Sequence, residues 1–161
     1  MKKLLILTLL FFSQVTSVQS STSALPASMK EYGRLYGIDP VLLYAISRVE
    51  SNHNPKAVNH DDGNSHDKRH GVVKKSYGLF QIQVDTAKQY GFSSYHKLLL
   101  DPKVNTLFAC LHLNHLYKRY RNTEKVLSAY NAGHYTSKNK SYVDKVTKYY
   151  ILYKIDGRYS E

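Results

Sequence analysis

Glu50 closes an apolar stretch and stands just before a polar run broken by a proline, in VESNHNPKAVN (Val49 to Asn59). If the apolar stretch is helical, a carboxylate is out of place there, because the unpaired carbonyls at a helix C-terminus carry partial negative charge. A carboxyl that must hold a proton for general acid catalysis gains from that position and from burial. Glu50 is therefore the first candidate for acid chemistry, a solvated surface glutamate being the alternative. A second group lies in NHDDGNSHDKRHGVVKK (Asn59 to Lys75), which holds His60, Asp61, Asp62, His66, Asp67 and His70. Its spacing fits no strong metal-ligand template, and a polar loop containing glycine accounts for it. His112 and His115 read as surface or hydrogen-bonded histidines, so no metal centre is expected. Cys110 is the only cysteine, which excludes an intramolecular disulfide.

The elements that must position these residues are helical. Met29 to Tyr36 reads as a helix stopped at Gly37. In IDPVLLYAISRVE, Asp39 is a good N-cap and Pro40 is favoured at the first helical position. Leu42, Leu43, Ile46 and Val49 follow at helical spacing, and the helix should end near Ser51. SYGLFQIQ (Ser76 to Gln83) is a short apolar segment after a tight turn, and Val84 to Tyr90 a helix closed by Gly91. Asp101 and Pro102 repeat the Asp-Pro start, with Val104, Leu107, Phe108 and Leu111 as the expected buried face. Thr123 should cap a helix that carries Glu124 in its first turn and runs past Tyr130 to Gly133. Ser141 to Tyr153 is the last helix. No repeats and no convincing set of strands are visible, so the expected fold is mainly α, a single globular domain over residues 21–161.

Residues 1–20 stand apart from that domain. Lys2 and Lys3 precede the apolar run LLILTLLFF (Leu4 to Phe12), which is too short to span a bilayer, and VQS (Val18 to Ser20) offers a cleavage site. This is a secretory signal peptide pattern, so the chain is expected to be exported, most readily to a periplasm, with no stable membrane anchor. Removing Lys2 and Lys3 takes the formal charge from +11 to +9. A basic exported protein implies an acidic extracytoplasmic partner. YKRYR (Tyr117 to Arg121) interleaves aromatic and cationic residues, but in an exported chain it reads as a solvated basic face, and no nucleic-acid partner is expected. The chain has fifteen tyrosines and no tryptophan. Tyrosine suits sugar rings and core edges alike.

ESNHNPKAVN, YGLFQIQ and AYNAG occur in that order, beginning at Glu50, Tyr77 and Ala129. Together they resemble the family-1 lytic transglycosylases, over roughly Tyr32 to Val146. The small single-domain form is most similar to the specialised transglycosylases that accompany secretion or conjugation machinery. The resemblance implies a goose-lysozyme-like helical fold and no cofactor, with peptidoglycan glycan strands as substrate and components of such an apparatus as further partners. It implies that Glu50 is the sole catalytic acid and that Gln81 contacts the bound sugar. It further implies that Tyr130, Asn131 and Tyr142 line the cleft. At the position nine residues after the acid the family often has serine; here it is Asn59, which can still hydrogen-bond. Phe80 replaces the usual methionine. The implied reaction cleaves the β-1,4 bond between N-acetylmuramic acid and N-acetylglucosamine and closes a 1,6-anhydro ring. Two alternatives stay open: a lysozyme-type hydrolase using a loop carboxylate (Asp61, Asp62 or Asp67) as base, and a non-catalytic glycan-binding assembly protein.

Overall fold

The computed structural model describes residues 25–60 and 75–155. The signal-peptide segment and the loop residues Asp61, Asp62, His66, Asp67 and His70 lie outside the described residues. Six α-helices are described: α1 (Ala27–Tyr36), α2 (Pro40–Ser51), α3 (Val84–Lys88), α4 (Pro102–Tyr120), α5 (Thr123–Ala132) and α6 (Lys140–Ile155). Two 3-10 turns, His96–Leu100 and Ser137–Asn139, lead into α4 and α6. The fold is the expected mainly α one.

The helix boundaries follow from local chemistry. Gly37, in the left-handed conformation, ends α1. The Asp39 carboxylate accepts the Val41 N–H at 2.8 Å, and the Asp101 carboxylate accepts those of Lys103 and Val104 at 2.9 Å. Each thereby satisfies donors that a helix leaves unpaired at its start, and Pro40 and Pro102 occupy the position that needs no N–H. The cap of α5 differs from expectation. Asn122, not Thr123, accepts the Lys125 N–H, at 3.0 Å, and Thr123 is the first helical residue. Helix α3 also stops short of Tyr90, at Lys88, before the turn to Gly91.

Helix α4 is the central element, with α1 on one side and α5 on another, while α2 packs along α6. This explains why the expected buried stripe of α4 was too narrow. Phe108 is buried, but Val104, Leu107 and Leu111 are only partly so, and Asn105, Thr106, Ala109, Cys110, Leu113 and Leu116 carry the burial. A helix flanked by neighbours on several sides has no single apolar face. The core joins Leu43 and Ile46 of α2, Phe80, Leu99, Leu113 of α4, Leu127 of α5 and Val146 of α6. Asn114 Nδ2 donates to the Tyr36 carbonyl at 2.9 Å and fastens the end of α1 to α4.

A small antiparallel sheet was not foreseen. Its strands are β1 (Val58–Asn59), β2 (Ser76–Tyr77) and β3 (Ile82–Gln83), in the order β1-β2-β3. Asn59 pairs with Ser76, and Ser76 with Gln83. Strands of two residues are too short to show an alternating pattern in sequence.

The β2–β3 turn is pinned from below by Asn105, which is fully buried. Its Nδ2 donates to the carbonyls of Tyr77 at 2.7 Å and Leu99 at 2.8 Å, and its Oδ1 accepts the Phe80 N–H at 2.8 Å. Gly78 leaves room for this, at φ +73°. A Cβ there would lie 2.7 Å from the Leu99 carbonyl oxygen and 2.8 Å from the Asn105 amide. An Asn105→Ala variant leaves three buried backbone groups without partners. The loss is expected to be roughly 3 kcal/mol of unfolding free energy, read from urea unfolding. A loss under about 1 kcal/mol would mean that the turn holds its shape by itself.

Candidate active site

Glu50 lies in the last turn of α2, half-buried. The helix ends beyond it because Asn52 and His53 take positive φ, 55° and 62°. Their N–H groups bond back to the carbonyls of Arg48 at 3.1 Å and Ser47 at 3.2 Å. The Arg48 guanidinium also bonds the Asn52 side-chain oxygen. The His53 ring stacks on Tyr44 with centroids 3.9 Å apart. Ser47 Oγ lies 2.9 Å from the Tyr44 carbonyl and 2.8 Å from His53 Nδ1, so it hydrogen-bonds the ring as well as its own helix. Burial, then the charge of Arg48, pushes His53 down to about 4. The chain therefore turns sharply after the carboxylate, on a neutral stacked histidine.

Three further elements converge on this turn. Tyr142, buried on α6, donates its hydroxyl to Glu50 Oε1 at 2.6 Å. Ser51 Oγ donates to the Leu79 carbonyl at 2.9 Å and joins the end of α2 to the β2–β3 turn. Tyr130 on α5 donates to the next carbonyl, that of Phe80, at 2.9 Å. Burial, then the negative charge of Glu50, raises both phenols well above the ordinary tyrosine range. Both are hydrogen-bond donors, not bases, at neutral pH. On its outer side Tyr130 meets the His112 ring, centroids 5.4 Å apart, and His112 Nδ1 lies 2.9 Å from the Tyr90 hydroxyl. Burial, then His115, pushes His112 down to about 4.

The other residues singled out in the sequence surround this centre. Gln81, at φ +48°, is bound inside the turn. Its Oε1 accepts the Ser76 hydroxyl at 2.7 Å, and its Nε2 donates to the carbonyls of Gly78 at 2.9 Å and Ala57 at 3.4 Å. Gln81 therefore ties the turn to the segment that follows Glu50, whatever else it touches. Asn59 is exposed on β1 opposite Ser76, and Asn131 is exposed one position after Tyr130. Glu50 and Tyr142 are in direct contact, Tyr130 reaches them through the turn, and Asn59 and Gln81 meet at Ser76. Ser51, His53 and Asn105 are parts of the arrangement that carried no signal in the sequence, and His112 is the hydrogen-bonded histidine that the sequence allowed.

Four other described carboxylates have partners elsewhere. Asp39 caps α2 at its far end and also accepts the Tyr150 hydroxyl at 2.8 Å and Lys154 at 2.9 Å. Burial alone would raise its carboxyl; Lys154, Tyr150 and the Val41 N–H together bring it below the usual range. Asp101 caps α4, Glu31 pairs with Lys103 and Asp144 with Lys140.

The two histidines make a pH prediction with a definite sign. Unfolded histidine titrates near 6.5, and folded His53 and His112 near 4. Between those values the unfolded chain binds more protons. Their contribution to stability is thus complete above the upper value and lost as pH falls through the window. The unfolding temperature should be level above neutrality and drop toward pH of about 4, with a shallower drop in His112→Phe. A level unfolding temperature across the window would contradict the burial of both rings.

With the geometry established, comparison with known proteins gives one consistent answer. The transglycosylase SLT domain model matches residues 27–152. A peptidoglycan-binding-like protein of Escherichia coli O157:H7 is 30% identical over 149 residues, 90% of this chain and 87% of that one. Invasion protein IagB of Salmonella typhimurium strain SL1344 is 30% identical over 138 residues, 84% of this chain and 79% of its own. An inactive mutant of the lytic transglycosylase Slt from Pseudomonas aeruginosa superposes with a TM-score of 0.63 at 20% identity, over 81% of this chain. The 70-kDa soluble lytic transglycosylase of Escherichia coli does so with a TM-score of 0.61 at 25% identity, over 80% of this chain. The chain spans only 24% of the length of either of these two transglycosylases. Fold, motif order and matched length agree, and the chain belongs to the transglycosylase SLT domain family.

Proposed function

We propose that the chain is an exported peptidoglycan lytic transglycosylase in which Glu50 alone performs both proton transfers. The observation that carries this reading is the 2.6 Å contact from Tyr142 to Glu50 Oε1 in an SLT domain. A phenol that donates to Oε1 occupies that oxygen as an acceptor, so the transferable proton belongs on Oε2. Glu50 Oε2 protonates the glycosidic oxygen between N-acetylmuramic acid and N-acetylglucosamine, and that bond breaks. The substrate's acetamido group helps to stabilise the positive charge at C1. The ionised Glu50, held by Tyr142, then accepts the proton of the C6 hydroxyl as its oxygen closes on C1. That attack is intramolecular and has the large advantage of proximity. No cofactor takes part.

Asn59, Gln81, Tyr130 and Asn131 complete the substrate side of the cleft in this reading. Gln81 and Tyr130 act first by fixing the turn beside Glu50; Asn59 and Asn131, both exposed, are available to sugar hydroxyls and amides. The signal-peptide pattern supports a periplasmic location. The relative named invasion protein IagB supports a role in opening the wall locally for a secretion or conjugation apparatus.

Glu50→Gln keeps the size of the side chain and removes its proton, so it should abolish wall cleavage in a zymogram while the thermal transition stays. Tyr142→Phe removes one hydrogen bond to a charged group, a loss on the order of 2 kcal/mol. Its kcat should fall by tens of fold with KM little changed. Wild-type turnover in Glu50→Gln would sink the assignment, and a KM effect alone in Tyr142→Phe would make that residue a binding group.

A further inference from the structure

Helix α6 has a second side that the site does not use. At about 100° per residue, Tyr142, Val146, Tyr149 and Tyr153 face the core, and Lys148, Ile151 and Ile155 fall on the opposite face. Ile151, Leu152 and Ile155 are 49%, 42% and 76% exposed. Their spacing makes them one continuous aliphatic patch. Lys145, Lys148 and Lys154 are exposed around it, and Tyr150 is half-buried. Of the other charged groups on or against α6, Lys154 is paired with Asp39, Lys140 with Asp144, and Arg48 lies over the Tyr149 ring.

We propose that the C-terminal half of α6 docks on an anionic lipid surface. Ile151, Leu152 and Ile155 enter the boundary between headgroups and acyl chains, and Lys145 and Lys148 meet the lipid phosphates. A convex helix face with protruding aliphatic side chains offers no pocket to a folded partner, whereas lipid needs no matching shape. The lysines select anionic lipid, in keeping with the formal charge of +9 that remains once Lys2 and Lys3 are removed from the +11 of the full chain. A second copy of the chain is a poor occupant, because pairing two such faces brings their lysines together, and three aliphatic side chains fall far short of the ~800 Å² per partner of a stable interface. A polyanionic wall polymer would use the lysines but leave the aliphatic patch in water. Among the described residues no helix is long and apolar enough to cross a membrane, so the contact is peripheral. Tyr142 and Glu50 lie against the opposite face of α6, so docking leaves the carboxylate turned away from the lipid. The proposal stands independently of the reaction assigned to Glu50.

The test is co-sedimentation of the exported protein, its N-terminus first established by mass spectrometry, with vesicles of phosphatidylglycerol and phosphatidylcholine in equal parts. Binding is expected there and not to phosphatidylcholine alone. Lys148→Ala should weaken it about fivefold. Ile151→Asp should weaken it on the order of tenfold or more, with wall cleavage and thermal transition retained in both. Equal binding to phosphatidylcholine, binding insensitive to both substitutions, or no binding would overturn the proposal. The last result, joined to capture of an acidic helical protein that Ile151→Asp abolishes, would assign the face to a protein partner. Concentration-dependent self-association lost in Ile151→Asp would assign it to a second copy.

Discussion

The arrangement depends on one buried amide. Asn105 spends both ends of its side chain on backbone: two donors to Tyr77 and Leu99, one acceptor to Phe80. A fully satisfied buried amide specifies one geometry, because any shift leaves a polar group unpaired at a cost of about 1–3 kcal/mol. That geometry aims the carbonyls of Leu79 and Phe80 outward. One receives Ser51, next to Glu50, and the other receives Tyr130. Helices α2, α4 and α5 are thus fixed to the same turn, and α6 joins them through Tyr142. The site is held by the backbone of a turn that α4 supports from beneath.

Electrostatics around Glu50 follow from the same packing. The two phenols are buried near a carboxylate, and both effects favour the neutral form of a phenol. They stay protonated and present hydrogen atoms toward the carboxylate and the turn. The two neighbouring histidines are driven neutral by burial. In the proposed mechanism, no positive charge from either ring competes with the proton that moves between Glu50 and the sugar. A general acid that must later act as a base needs such surroundings: fixed donors and no rival titrating group at working pH.

Much of this was legible in sequence where the physics is local. The Asp-Pro starts at Asp39 and Asp101, the stop at Gly37 and the helix end after Glu50 each depend on residues within one turn, and the structure has them there. Asn122 and Thr123 are both good caps in succession, so the choice between them was settled by which side chain reaches the Lys125 N–H. Long-range features were not legible. Asn105 looks like a surface residue on a helix because its partners lie as far as 28 positions away. The strands are too short to show alternation, and His112 gives no sign that it is neutral until Tyr90 and Tyr130 enclose it. Glu50, Tyr130 and Tyr142 were singled out by the family resemblance, not by spacing along one helix, and the structure brings Tyr142 onto Glu50 and Tyr130 onto the neighbouring turn.

The central claim is that one carboxyl serves as acid and then as base, with the sugar's own C6 hydroxyl as nucleophile. The most direct measurement is mass spectrometry of the muropeptides released from purified peptidoglycan. If Glu50 works alone, the muramic acid ends are 1,6-anhydro and non-reducing, lighter by one water than hydrolysed ends. Predominantly reducing ends would show that water is the acceptor, that a second base serves it, and that the single-carboxyl mechanism is wrong.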